Sequence, residues 1–128
     1  MQYRNQNAFT ILFFLNKENY KKILFFCDLK NDRKLIAAYI AHYKKVWPEI
    51  EARIKAAGIE TMEIYPKGKR LFMIMEVNET FSFEAKAKSD KQYAKVQEWE
   101  VLMWNYQQVA PMANKGEKWL LLEQIYKL

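Results

Sequence analysis

The sequence predicts an α+β fold: a four-stranded antiparallel sheet with helices on one face. Three observations predict it. Short apolar and aromatic runs recur at residues 23–29, 60–65, 70–77 and 119–126, as strands require. Two longer segments, about 32–57 and 91–108, repeat apolar residues at helical spacing. Pro66-Lys67-Gly68-Lys69 carries turn residues between the second and third runs. The order is therefore β-α-β-β-α-β with a short extra helix, the ferredoxin-like or split βαβ arrangement.

Residues 1–21 read as an N-terminal extension, and residues 22–128 as a single domain. Residues 8–15 (AFTILFFL) are too few to span a bilayer, and no small-residue cleavage site follows them. The first strand, ILFFCDL at 23–29, is followed by Asn31 and Asp32, either of which can cap a helix with its side-chain oxygen. That helix runs to about Ala57 on a stripe that includes Leu35, Ile36, Tyr39, Tyr43, Val46, Trp47, Ile50 and Ile54. Pro48 calls for a kink or break just before it, and Gly58 ends the helix. Two strands and their hairpin follow. Residues 80–89 form a short helix, and residues 91–108 a longer one with Tyr93, Val96, Trp99, Leu102, Met103 and Tyr106 on its stripe. Pro111, Asn114 and Gly116 interrupt the chain before the last strand.

A sheet with one wet face alternates apolar and polar residues. These strands do not. The third has Leu71, Met73, Met75 and Val77 on one face but Phe72 and Ile74 on the other. The first sets Ile23, Phe25, Cys27 and Leu29 against Leu24 and Phe26. An open face of that kind calls for a cover, and a second copy of the chain is the simplest one.

Composition narrows the chemistry. A chain of 128 residues that is 51% hydrophobic, with 3 Gly and 3 Pro, is neither disordered nor low-complexity. One Cys and one His exclude an intrachain disulfide framework and a zinc finger, although carboxylate-rich metal sites survive the count. The net charge of +6 is scattered among acidic residues, which argues against a nucleic-acid interface. No glycine-rich phosphate loop is present. Aromatic residues make up 16% of the chain, and His42 stands amid tyrosines and tryptophans, on which flat apolar sugar faces could stack. At 100° per residue, Tyr43 lies near the centre of the first helical stripe, His42 at its edge and Tyr39 between them. An aromatic stripe is core more often than site, and a lone His at its edge is more often a spectator than a catalyst.

The run Tyr39-x-x-His42-Tyr43-x-x-Val46-Trp47-Pro48-Glu49 resembles the first-helix signature of the L-rhamnose mutarotase family. The segments at 50–58, 62–77, 96–104 and 116–119 fit the same layout, so the resemblance covers about residues 22–128. It implies a dimeric α/β barrel and a cofactor-free, metal-free, cytoplasmic enzyme. Such an enzyme interconverts the α and β anomers of L-rhamnose or, in some relatives, L-fucose. Its partners would be a monosaccharide and a second copy, with no nucleic acid and no membrane.

The resemblance also assigns residues. The family's catalytic acid is a His four residues before the Trp, a position held here by Tyr43, with His42 one residue earlier. The family's sugar-binding Tyr, one turn before, is matched by Tyr39. A second sugar-binding Tyr falls on Met62. A tandem Trp pair falls on Trp99 and Glu100, and Glu100 could hold a sugar hydroxyl, act as a base or simply face solvent. The order His42-Tyr43 leaves three readings. A π-bulge could bring His42 into the acid's place. Tyr43 could donate the proton itself. Or the site binds sugar without turning it over. A reading from another class is a haem-linked member of the dimeric-barrel superfold with His42 as axial ligand.

Overall fold

The structure, a computed structural model, describes residues 21–128. The extension expected over 1–21 lies outside the described residues, apart from Lys21, which opens the first strand.

Strand β1 (Lys21–Leu29) is the centre of the sheet. Strands β2 (Ile59–Lys67) and β3 (Arg70–Val77) form a hairpin, and β3 pairs antiparallel with β1 from Lys21↔Val77 to Asp28↔Arg70. The other side of β1 is shared by two short strands, β4 (Gln107–Gln108) and β5 (Leu120–Leu122). The order β2-β3-β1-β4 is that of an antiparallel ferredoxin-like sheet, with β5 also on β1. The hairpin loop is only Gly68 and Lys69, because Pro66 and Lys67 continue the strand. Pro66 is tolerated there since β2 is an edge, where a missing N–H leaves no ladder bond unmade.

Helix α1 (Arg33–Tyr43) is capped by Asp32, whose carboxylate accepts from the backbone N–H of Lys34 and Leu35. The break expected before Pro48 is complete. Lys44 N–H donates to Ala41 O and Lys45 N–H to His42 O, closing α1 with a tighter final turn. Helix α2 (Pro48–Ala56) then begins afresh on Pro48. Proline lacks the N–H an interior position needs, but it suits the first position of a helix. Gly58 ends α2 at φ +93°, where a Cβ would stand 2.6 Å from both Asn78 Oδ1 and Thr80 Oγ1. No other residue fits that crossing between α2 and β2.

The second half departs from expectation at its boundaries. Helix α3 (Phe83–Gln92) starts at a Ser82 cap, three residues later than its weak apolar marks suggest. Helix α4 (Ala94–Trp104) stops short of Gln108. Tyr106 O accepts from Lys30 N–H, and Gln107 and Gln108 pair with the end of β1, so a free strand edge wins over the helical pattern. The last strand holds only three of its eight expected residues.

The core lies between the sheet and the helices. Phe25, Cys27, Leu71, Met73 and Met75 are fully buried and share it with Tyr39, Ile50, Val96, Trp99 and Met103 from the helices. The Phe83 ring of α3 meets the edge of Phe25 at 6.0 Å. The opposite sheet face carries two cross-strand rows, Glu63–Ile74–Leu24–Leu122 and Tyr65–Phe72–Phe26–Leu120. The alternation read from the sequence is thus reproduced, and no helix of the described residues lies over this second face.

Candidate active site

The end of α1, the Ile50–Ile54 face of α2 and the start of β2 border a cavity of about 420 Å³. That is toward the small end of the roughly 300–1,000 Å³ typical of ligand sites. Tyr43 and Val46 enter it from the end of α1 and the following turn, and Trp99 from α4. Its apolar floor is Ile50 and Ile54 of α2 with Ile59, Met62 and Ile64 of β2. Glu51 and Lys55 of α2 and Glu60 and Thr61 of β2 supply the polar wall.

Why Tyr43 reaches the cavity follows from its place. It is the last residue of α1, on the buried stripe, and the turn at 44–47 carries the chain away and opens space beside it. Its ring packs between Tyr39 at 5.2 Å and the edge of Trp99 at 5.7 Å. Trp99 is itself wedged against Trp47 at 5.1 Å. These contacts fix the ring without covering it, since Tyr43 stays partly accessible.

The hydroxyl of Tyr43 has an ordered set of neighbours. Tyr39 Oη donates to Tyr43 Oη at 3.5 Å. The Trp99 indole lies on its other side; its Nε1–H is buried and closes no hydrogen bond of ordinary geometry. Burial pushes the Tyr43 pKa up, opposed by the Tyr39 hydroxyl and the Trp99 indole, both of which favour the phenolate. An indole N–H can only donate. Tyr39 is the one hydrogen-bond donor to its oxygen, so Tyr43 keeps its own proton to give to a partner in the cavity it lines. Behind it, burial raises the Tyr39 pKa well above the ordinary tyrosine value, opposed by the Gln107 side chain of β4.

The other expected residues fall in different places. Met62 and Trp99 line the cavity with Tyr43. Tyr39, 1% exposed, lies behind Tyr43 and not on the wall. His42 points away: its Nε2 sits 3.1 Å from Tyr106 Oη, and its ring meets the edge of Trp99 at 6.4 Å. No π-bulge re-aims it, because α1 stays α-helical through Tyr43. The same contact occupies the nitrogen an axial haem ligand would need. Glu100 is buried, neither facing solvent nor lining the cavity, and Gln97 Nε2 reaches it at 3.5 Å.

Glu51, Lys55, Glu60 and Thr61 were not singled out from the sequence. A signal existed for the first two. Four residues apart, they flank the Ile50–Ile54 stripe on one helix face. Glu60 and Thr61 gave none, since a bulge between Ile59 and Thr61 shifts the register there. Among the described residues no group of three His, Cys, Asp or Glu is placed to hold a metal ion. No helix among them is long and apolar enough to cross a membrane.

Comparison with known proteins adds to this geometry. The family model described as L-rhamnose mutarotase matches residues 22–128. The chain is 38% identical over 110 residues to the L-fucose mutarotase of Xanthomonas campestris pv. campestris, covering 84% of this chain and 88% of that protein. It is 32% identical over 114 residues to a protein of Dictyostelium discoideum, covering 86% and 91% respectively. The crystal structure of an L-rhamnose mutarotase from Formosa agariphila superposes with a TM-score of 0.63 over 84% of this chain and 98% of its own, at 20% identity, a likeness of fold.

Proposed function

The chain belongs to the L-rhamnose mutarotase family, isomerases that act at the anomeric carbon, and from that premise we propose that it interconverts the α and β anomers of a 6-deoxy-L-hexose. L-Fucose is the first sugar to test, since the 38% identical relative is an L-fucose mutarotase; L-rhamnose is the second. The observation that carries the proposal is Tyr43 on the wall of the cavity, its hydroxyl accepting from Tyr39 and its own proton left to donate. Ring opening needs a proton delivered to the ring oxygen, and a positioned acid–base system supplies roughly 10²–10⁴ in rate without a cofactor.

In this reading Tyr43 is the acid. His42, the other candidate, is engaged by Tyr106 and has no role in proton transfer. Trp99 and Met62 give the apolar surface for one sugar face, while Tyr39 supports Tyr43 and does not touch sugar. A tyrosine is a weaker acid than the family's His at neutral pH, and burial here weakens it further. That favours slow turnover, and its limit is a protein that binds sugar without turning it over. We propose a cytoplasmic homodimer as the working form. The lone buried thiol of Cys27, pushed up to about 12, suits a reducing compartment.

Saturation-transfer NMR between the anomers of L-fucose and of L-rhamnose tests the proposal. Faster exchange of either sugar with protein present supports it and names the substrate. Sugar line broadening without faster exchange shows the binding-only form and overturns the enzymatic reading.

A further inference from the structure

We infer that Glu51 is the catalytic base that works opposite Tyr43; this rests on the mutarotase reading above. Anomer exchange moves two protons, one onto the ring oxygen and one off the anomeric hydroxyl. An acid without a base leaves the second movement to bulk water.

The polar side chains of the cavity other than Tyr43 and Trp99 are Glu51, Lys55, Glu60 and Thr61. A lysine ammonium has no lone pair to accept a proton, and a threonine hydroxyl is a very weak base. Glu60 already accepts the Asn78 Nδ2–H at 2.6 Å, which ties its Oε1 toward the α2–β2 crossing. The Glu51 carboxylate makes no hydrogen bond or ion pair with any described residue. It stands in the first turn of α2, beside buried Ile50 and partly buried Ile54. Those anchors fix its backbone, and sites carried on helices hold their geometry better than sites on loops.

The step balances. Glu51 takes the proton of the anomeric O1–H, and that electron pair becomes the second bond between C1 and O1. The C1–O5 bond breaks, its pair stays on O5, and O5 takes the Tyr43 proton. The open-chain aldehyde turns about C1–C2. On closure Tyr43 recovers its proton from O5–H, O5 attacks the other face of C1, and Glu51 returns its proton to O1. No electron leaves the sugar, and both residues end as they began.

The experiment is exchange NMR over a range of L-fucose and L-rhamnose concentrations with wild type, Glu51→Gln and Glu51→Asp. Glu51 is exposed, so both variants should keep the fold, which circular dichroism checks. The expected result is a loss of roughly 10²–10⁴-fold in kcat for Glu51→Gln. Its KM should move by less than about threefold, because the lost interaction belongs to the transition state. Glu51→Asp should regain part of the rate. Wild-type kcat in Glu51→Gln overturns the assignment and leaves the mutarotase reading standing. A rise in KM with unchanged kcat also overturns it, by making Glu51 a binding group. No acceleration by the wild-type chain on either sugar is a different failure, of the mutarotase reading itself, and removes this assignment with it.

Discussion

Tyr43 and His42 are neighbours in the chain but 100° apart on α1, so an unbroken helix gives the cavity only one of them. The structure gives it Tyr43. The consequence is measurable. Tyr43→Phe keeps the ring and its contacts with Tyr39 and Trp99 but removes the proton, so exchange should fall by roughly 10²–10⁴-fold with sugar binding retained. Tyr43→His puts an imidazole in the cavity and should exceed wild type at neutral pH, because its pKa of about 6.5 suits the task better. His42→Ala should leave the rate unchanged. Tyr39→Phe removes a donor to Tyr43, so the Tyr43 pKa rises further and exchange slows by less than in Tyr43→Phe. Wild-type exchange should hold its rate through neutral pH and fall only above the ordinary tyrosine value of 10.0, since burial raises the Tyr43 pKa and keeps it protonated below that. A profile that already falls near pH 7, or a His42→Ala variant without activity, would put the proton on His42 instead.

At the scale of elements, the α2–β2 crossing shows how local chemistry sets the site. Gly58 N–H donates to Lys55 O, and Gly58 O accepts from Asn78 N–H at 2.9 Å. Gly58→Ala would add a Cβ at φ +93° against Asn78 and Thr80. It should lower stability by about 1–3 kcal/mol, read as a lower denaturation midpoint. Because Glu60 hangs from Asn78, the same change should also disturb sugar binding. This glycine was legible in the sequence, as were the break before Pro48, the Asp32 cap and the two faces of β1 and β3. Each is written in one residue type or in a simple period. What was not legible depended on long-range partners. Tyr106 continues the helical stripe of α4, yet its backbone leaves the helix to bond Lys30 across the sheet. Glu60 and Thr61 enter the cavity because of a register shift that periodicity does not announce. For the site, the family signature singled out Tyr43, Met62 and Trp99, which meet at one cavity. Whether Tyr39 would touch a ligand or support Tyr43 depended on burial, which spacing alone does not decide.

At the scale of the whole molecule, the sheet has one face too many for a monomer. Phe72 is 38% exposed, Tyr65 51% and Leu122 36%, with half-buried Leu24, Phe26 and Ile74 between them. Arg70 partly masks the row, its guanidinium 4.6 Å above the Phe26 ring and paired with Asp28 at 2.6 Å. Among the described residues the rest is a contiguous apolar surface of the kind soluble monomers rarely leave open. A second copy across this face would build a barrel from two sheets and leave each cavity, on the helix side, accessible. The 15.4 kDa chain should therefore run at twice that mass by light scattering. Phe72→Glu combined with Leu122→Glu changes two exposed positions, so it should spare the fold while dividing the dimer. Its expected mass is that of one chain, with an unchanged circular dichroism spectrum. A wild-type protein already monomeric at micromolar concentration would refute the pairing, and so would a double variant that stays dimeric, since the contact would then lie elsewhere.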